Sequence, residues 1–218
     1  MKPEDFEKTD DIERRTHTVE MRVAEPSIGK KSATMEGYAA NFNSLSEDLG
    51  GFRELLMPGC FSEALKTSDV CALFNHEPSL ILGRSTSGTL RLNEDERGLK
   101  WSVDPDMEIS YVKDLSRSMQ RKDIHQCSFG FSVAEDGCTW AKDSGGMWIR
   151  SIFNVSRLYD VSPVTYPAYT STSCAVRSLL KLKSEEENAE IIKREQEVES
   201  ERQRKINHRR RELEMLGV

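Results

Sequence analysis

Three things are missing from this chain: cysteines in CxxC pairs, an apolar run of membrane-spanning length, and an excess of basic residues. Cys60, Cys71, Cys127, Cys138 and Cys174 are scattered and odd in number, so neither a disulfide framework nor a zinc knuckle is indicated, and reduced thiols are expected. No window approaches the roughly twenty consecutive apolar residues of a membrane helix. The opening stretch MKPEDFEKTDDIERR is charged where a secretory leader needs an apolar segment. A cytoplasmic protein with no membrane partner is the expectation. A net charge of −6 speaks against nucleic acid as a partner, since phosphate binding rests on an excess of Lys and Arg. The one basic run, His208-Arg209-Arg210-Arg211, reads as part of a solvated helix face. No cofactor is indicated. A metallopeptidase motif fails, because Pro78 follows His76-Glu77 and no second histidine stands at i+4.

What is present suits a globular domain with appendages: 218 residues, of which 37% are hydrophobic, suffice for one sizeable core. Residues 1–16 form a polar, mobile N-terminal arm in this reading, residues 17–178 a domain, and residues 179–218 a charged helical tail. Within the domain, Thr16 to Val23, Met35 to Phe42, Val70 to His76, Leu80 to Leu92, Gly98 to Asp104 and Gln126 to Ala134 carry strand patterns, as do Ile149 to Val155 and Leu158 to Val164. Strand Val70 to His76 is apolar on both faces and surfaces at His76-Glu77-Pro78. MPGCFSEALKTS predicts a short helix entered through Pro58 and Gly59, and Ile109 to Arg121 an amphipathic one with Ile109, Val112, Leu115 and Met119 on its apolar stripe. EDGCTWAKDSGGMW reads as turns. The class is α+β, a strand-rich mixed sheet or barrel with peripheral helices. After Arg177 the composition becomes charged and free of Gly and Pro until Gly217, which predicts a long solvated helix without a sustained heptad.

Chemistry is concentrated in few places. In QCSFGF, alternation sends Cys127, Phe129, Phe131 and Val133 to one face and Ser128, Gly130 and Ser132 to the other. The aromatic face is the core, so Ser128 is expected on an open face, with Gly130 leaving room for close approach of another backbone. A nucleophilic serine needs a base, an orienting group and oxyanion donors. Of the four histidines, His17 and His208 fall near the ends, leaving His76 and His125 as candidate bases. Cys127, an intrinsically better nucleophile, points into the core in this reading.

The stretches EGYAANFN, MPGCFSEAL, CALFNHEPSLILGR, GLKWSVDP, CSFGFSV and RLYDVSPVTYPAYTST, in this order and spacing, resemble the prohead serine protease family of tailed bacteriophages over roughly residues 17–178. That family is similar in fold and chemistry to herpesvirus assemblin. The resemblance implies an assemblin-type fold with His76 as general base and Ser128 as nucleophile. It leaves the third member open: Asp160, from YDVSPV, is placed ahead of Glu77 and of His125. Oxyanion donors are implied to be backbone N–H groups of an Arg-containing segment, with Arg150 or Arg157 nearest. It further implies a serine endopeptidase acting inside the procapsid in the host cytoplasm. Its substrates would be the scaffolding protein or the scaffold-like segment of the major capsid protein precursor, and the enzyme itself; a homodimer follows by analogy with assemblin. A non-catalytic capsid-assembly scaffold of the same fold, and a cysteine peptidase using Cys127, are the alternatives.

Overall fold

The computed structural model describes residues 12–18, 21–24, 33–167 and 173–215. Residues 1–11, most of the expected arm, and residues 19–20, inside the expected strand Thr16 to Val23, lie outside the described residues. The chain runs β1 (Glu13–Thr18), β2 (Met21–Ala24), β3 (Thr34–Asn41), β4 (Phe52–Leu56), α1 (Ser62–Thr67), β5 (Cys71–Phe74), β6 (Glu77–Arg84), β7 (Leu90–Glu94), β8 (Gly98–Val103), α2 (Ser110–Gln120), β9 (Gln126–Val133), β10 (Cys138–Lys142), β11 (Trp148–Ile152), β12 (Val155–Val164) and α3 (Ser173–Met215). The chain divides at residue 173 into two compact units, with α3 forming the second.

The strands form three open sheets, ordered β1-β9-β12-β5-β6, β10-β11-β4 and β2-β3-β8-β7. The class is α+β as expected, but the barrel alternative is wrong, since among the described residues no sheet closes on itself. One apolar cluster joins them: Met35 and Ala39 of β3, Trp101 and Val103 of β8, Val112 and Leu115 of α2, Phe129 and Phe131 of β9, and Leu158 and Val161 of β12. Aromatic rings run through it from Phe42 to Phe61, Phe129 and Phe131, with centroids 6.3, 5.6 and 4.9 Å apart. This packing presses the apolar face of β9 inward and fixes the orientation of its other face; truncating such a ring costs about 3–5 kcal/mol.

Several expected elements divide differently. Thr16 to Val23 is two strands, β1 paired with β9 and β2 paired with β3. Residues 13–16, expected in the mobile arm, belong to β1, with Glu13 and Arg15 buried. Their charge hid this, because it is compensated within the fold rather than by water. Leu80 to Leu92 is also two strands, β6 and β7, in different sheets. The turn between them is gathered by Asp69, which accepts from Arg84 Nη2 at 2.6 Å and Thr86 Oγ1 at 2.9 Å; these bonds, Arg84 first, hold its carboxyl down at about 2. The piece read as turns contains β10, anchored by Trp140, whose ring lies 5.1 Å from Phe52 and 6.3 Å from Trp148. The terminal helix begins at Ser173 rather than 179. Along it Lys181–Glu185 and Glu190–Arg194 pair at helical spacing.

The compensating charges form a buried cluster linking β1 to β4 and β11. Arg15 donates to Glu54 Oε1 from Nε at 2.8 Å and to Glu13 Oε2 from Nη2 at 2.6 Å. Arg150 Nη1 donates to both Glu13 oxygens at 2.9 and 2.8 Å and to Glu54 Oε2 at 3.1 Å. Burial by itself would push the Glu13 carboxyl up, but Arg15 and Arg150 together hold it below the ordinary value of 4.5. A depressed carboxylate contributes stability that is present above its unfolded pKa and lost as pH falls through its folded one. Removing one arginine leaves buried charge uncompensated. Arg150→Ala is therefore expected to cost about 3–5 kcal/mol in denaturant unfolding, and to move the onset of acid unfolding to higher pH.

Candidate active site

Both faces of β9 are covered, which corrects the expectation of an open serine face. Ser128 has 0% exposure and Ser132 9%. Alternation itself holds: Cys127, Phe129 and Phe131 join the apolar cluster, while Ser128, Gly130 and Ser132 face the other way. The cover explains how a hydroxyl on that face can be withdrawn from solvent and given protein partners.

The second element is β12, antiparallel to β9, and its phase is set by a bulge. Leu158 stands opposite Phe131, but Asp160 stands opposite Gly130, so Tyr159 is an extra residue on the β12 side. Uninterrupted alternation from Leu158 would carry Asp160 to the apolar face. The bulge transfers it, and with it Ser162, to the face of Ser128, whose direct partner is Ser162. Gly130 completes the fit. A Cβ there would lie 2.6 Å from Asp160 Oδ2, so a bare backbone is what admits the carboxylate; the close approach anticipated at Gly130 is by a side chain, not another backbone.

The third element is the two-residue turn between β5 and β6. Asn75 and His76 have φ of 54° and 57°, the left-handed geometry that a tight hairpin requires and that glycine normally supplies. For side-chain-bearing residues this costs on the order of 1–3 kcal/mol each. Asn75 ties the turn to the end of β12: its N–H donates to the Pro163 carbonyl at 3.0 Å, and its Oδ1 accepts from Thr165 N–H at 2.8 Å. His76 is thereby held over the β12–β9 pair.

The three side chains form one chain of hydrogen bonds. His76 Nδ1 lies 2.6 Å from Asp160 Oδ1 and Nε2 2.7 Å from Ser128 Oγ. With the imidazole proton on Nδ1 and donated to the carboxylate, Nε2 is left to accept the Ser128 hydroxyl. The His76 and Asp160 side chains are 10% and 9% exposed, so these bonds operate with little competition from water. Ser162, fully buried, donates to Asp160 Oδ1 at 2.6 Å.

Other sequence candidates lie elsewhere. Glu77 is exposed and occupied with Ser79, and His125 is exposed before β9. The Cys127 thiol lies on the apolar face, directed at the Ser128 carbonyl, and burial pushes its pKa up. The Arg150 guanidinium is committed to the buried charge cluster, and that of the exposed Arg157 stacks on Tyr159 at 4.7 Å. The reading of the residues missed Asn75 and Ser162. Asn75 carried a signal, since Asn is common in left-handed turn positions; Ser162 carried one only if the bulge was known.

An α+β scaffold presenting a carboxylate–imidazole–hydroxyl relay has the connectivity that acyl-transfer hydrolases use. A sequence model of the caudovirus prohead serine proteases matches residues 17–187, and the chain belongs to that family. It is 33% identical over 141 residues to the prohead protease of Enterobacteria phage HK97, a match covering 63% of this chain and 57% of that protein. The chain thus spans a little over half the length of that relative. Among solved structures, the bacteriophage T4 capsid assembly protease superposes with a TM-score of 0.44 at 10% identity, covering 70% of this chain and 97% of that one.

The absent side chain at residue 130 offers a direct test of the relay. Gly130→Ala is expected to displace the Asp160 carboxylate and lower peptide cleavage roughly a hundredfold, the cost of misplacing a reacting group by about 1 Å. Overpacking should destabilise the fold by only about 1–3 kcal/mol. Cleavage assays beside denaturant melts separate the two effects.

Proposed function

We propose that this chain is a serine endopeptidase of phage capsid maturation, with Ser128 as nucleophile, His76 as general base and Asp160 as the group that orients it. The observation that carries the proposal is the continuous relay, with bonds of 2.7 and 2.6 Å meeting at one imidazole. As Ser128 Oγ attacks a peptide carbonyl, His76 Nε2 takes its proton while Nδ1–H stays on Asp160, whose charge stabilises the imidazolium. The proton then passes to the leaving amine, and water, activated by the same nitrogen, releases the acyl group. Ser128 is buried, so its hydroxyl proton goes to His76 Nε2 without competition from bulk water.

Family membership supports the rest of the proposal. Its substrates are the scaffolding protein or the scaffold-like segment of the major capsid protein precursor, together with the enzyme itself, and it acts inside the procapsid. The fold is of the assemblin type, and α3 is a charged tail that binds scaffold or is removed by self-cleavage. Among the described residues no helix is long and apolar enough to cross a membrane. A non-catalytic scaffold has no use for a base held in a strained turn against a buried hydroxyl. A cysteine peptidase is disfavoured because the Cys127 thiol faces away from His76 and burial keeps it protonated.

Ser128→Ala and His76→Ala should each lower cleavage of capsid precursor by roughly a thousandfold or more with the fold retained, whereas Cys127→Ala should cleave at a near-native rate. A serine-directed phosphonate should form one adduct, mapped by mass spectrometry to Ser128. Folded protein that cuts precursor yet carries no adduct there would sink the serine assignment.

A further inference from the structure

Asp160 is useful to His76 only while its carboxylate keeps one rotamer, and the structure contains a device for this outside the relay. Asp160 Oδ1 accepts two hydrogen bonds at 2.6 Å, one from His76 Nδ1–H and one from the Ser162 hydroxyl. Oδ2 is set against the bare backbone of Gly130. Ser162 has 0% exposure, so bulk water does not compete for its proton, and its bond goes to the carboxylate rather than to the imidazole. It is the cross-strand partner of Ser128 and sits two residues beyond Asp160 on the same strand, so the strand that carries the carboxylate also carries its clamp.

We propose that Ser162 is a positioning residue for the peptidase reaction: its hydroxyl fixes the Asp160 carboxylate in the rotamer that accepts from His76 Nδ1–H, and so sets the orientation of the imidazole. This rests on the peptidase reading of the site.

The test compares native protein with Ser162→Ala and with Ser162→Cys, which is slightly larger but donates weakly. Two measurements are made on each: kcat and KM of peptide cleavage, and the solvent exchange of the His76 Nδ1 proton followed by NMR. Both variants are expected to lose roughly ten- to a hundredfold in kcat, the worth of one hydrogen bond to an ionised group, with KM little changed. The Nδ1 proton should exchange faster. A rate loss with native Nδ1 exchange would make Ser162 merely structural and overturn the proposal, as would native behaviour in both variants. NMR also keeps the two readings apart. If native protein cuts no peptide while its Nδ1 proton is protected, the peptidase reading fails on its own; equal protection in the variants would then overturn the clamp independently.

Discussion

The pairing of β9 with β12 is the constraint on which the site depends. Two adjacent antiparallel strands place a hydroxyl, a carboxylate and a second hydroxyl on one face, and the imidazole need only be lowered onto them. Strand geometry does this at almost no entropic cost, because residues in a central sheet already have fixed backbones. What is particular here is the phase. The extra residue Tyr159 lets Leu158 and Val161 both face the core while Asp160, between them, faces Ser128. A carboxylate is thus inserted into an apolar strand without burying it among hydrocarbons, where an unpaired charge would be costly.

The two faces of this sheet solve different electrostatic problems. On the apolar side, β1 brings Glu13 and Arg15 to the rim of the core, where Glu54 and Arg150 close a four-membered cluster joining two sheets. On the other side the relay carries a single formal charge, spread over short hydrogen bonds. Both are buried, but the first is matched in sign and the second is not, and Asp160 depends on donors from His76 and Ser162 instead. Asn75 ties the relay to the backbone: its clamp on Thr165 keeps the His76 turn registered with β12, the strand that holds the carboxylate.

Local regularity decided what could be read from sequence. Alternation in QCSFGF separated Ser128 from Cys127, and the helix α2 followed from its apolar spacing at Val112, Leu115 and Met119. The family resemblance singled out His76, Ser128 and Asp160, which the fold brings within hydrogen-bond reach. Features that break a period were illegible. The bulge at Tyr159 is a phase slip, and without it alternation puts Asp160 on the wrong face. Strand β10 is short and exposed and looks like turn, and β1 looks like a polar arm because its buried charges are neutralised by residues 39 and 137 positions away. The cover over Ser128 is likewise a tertiary property, for no strand pattern says what lies above it.

The span of the relay along the chain has a consequence in time. His76 and Ser128 are 52 residues apart and His76 and Asp160 84, and among the described strands β12 is synthesised last. A nascent chain ending before residue 160 holds the hydroxyl and the imidazole but neither the carboxylate nor the strand that aligns them. The relay is therefore completed in a single step, when β12 pairs with β9.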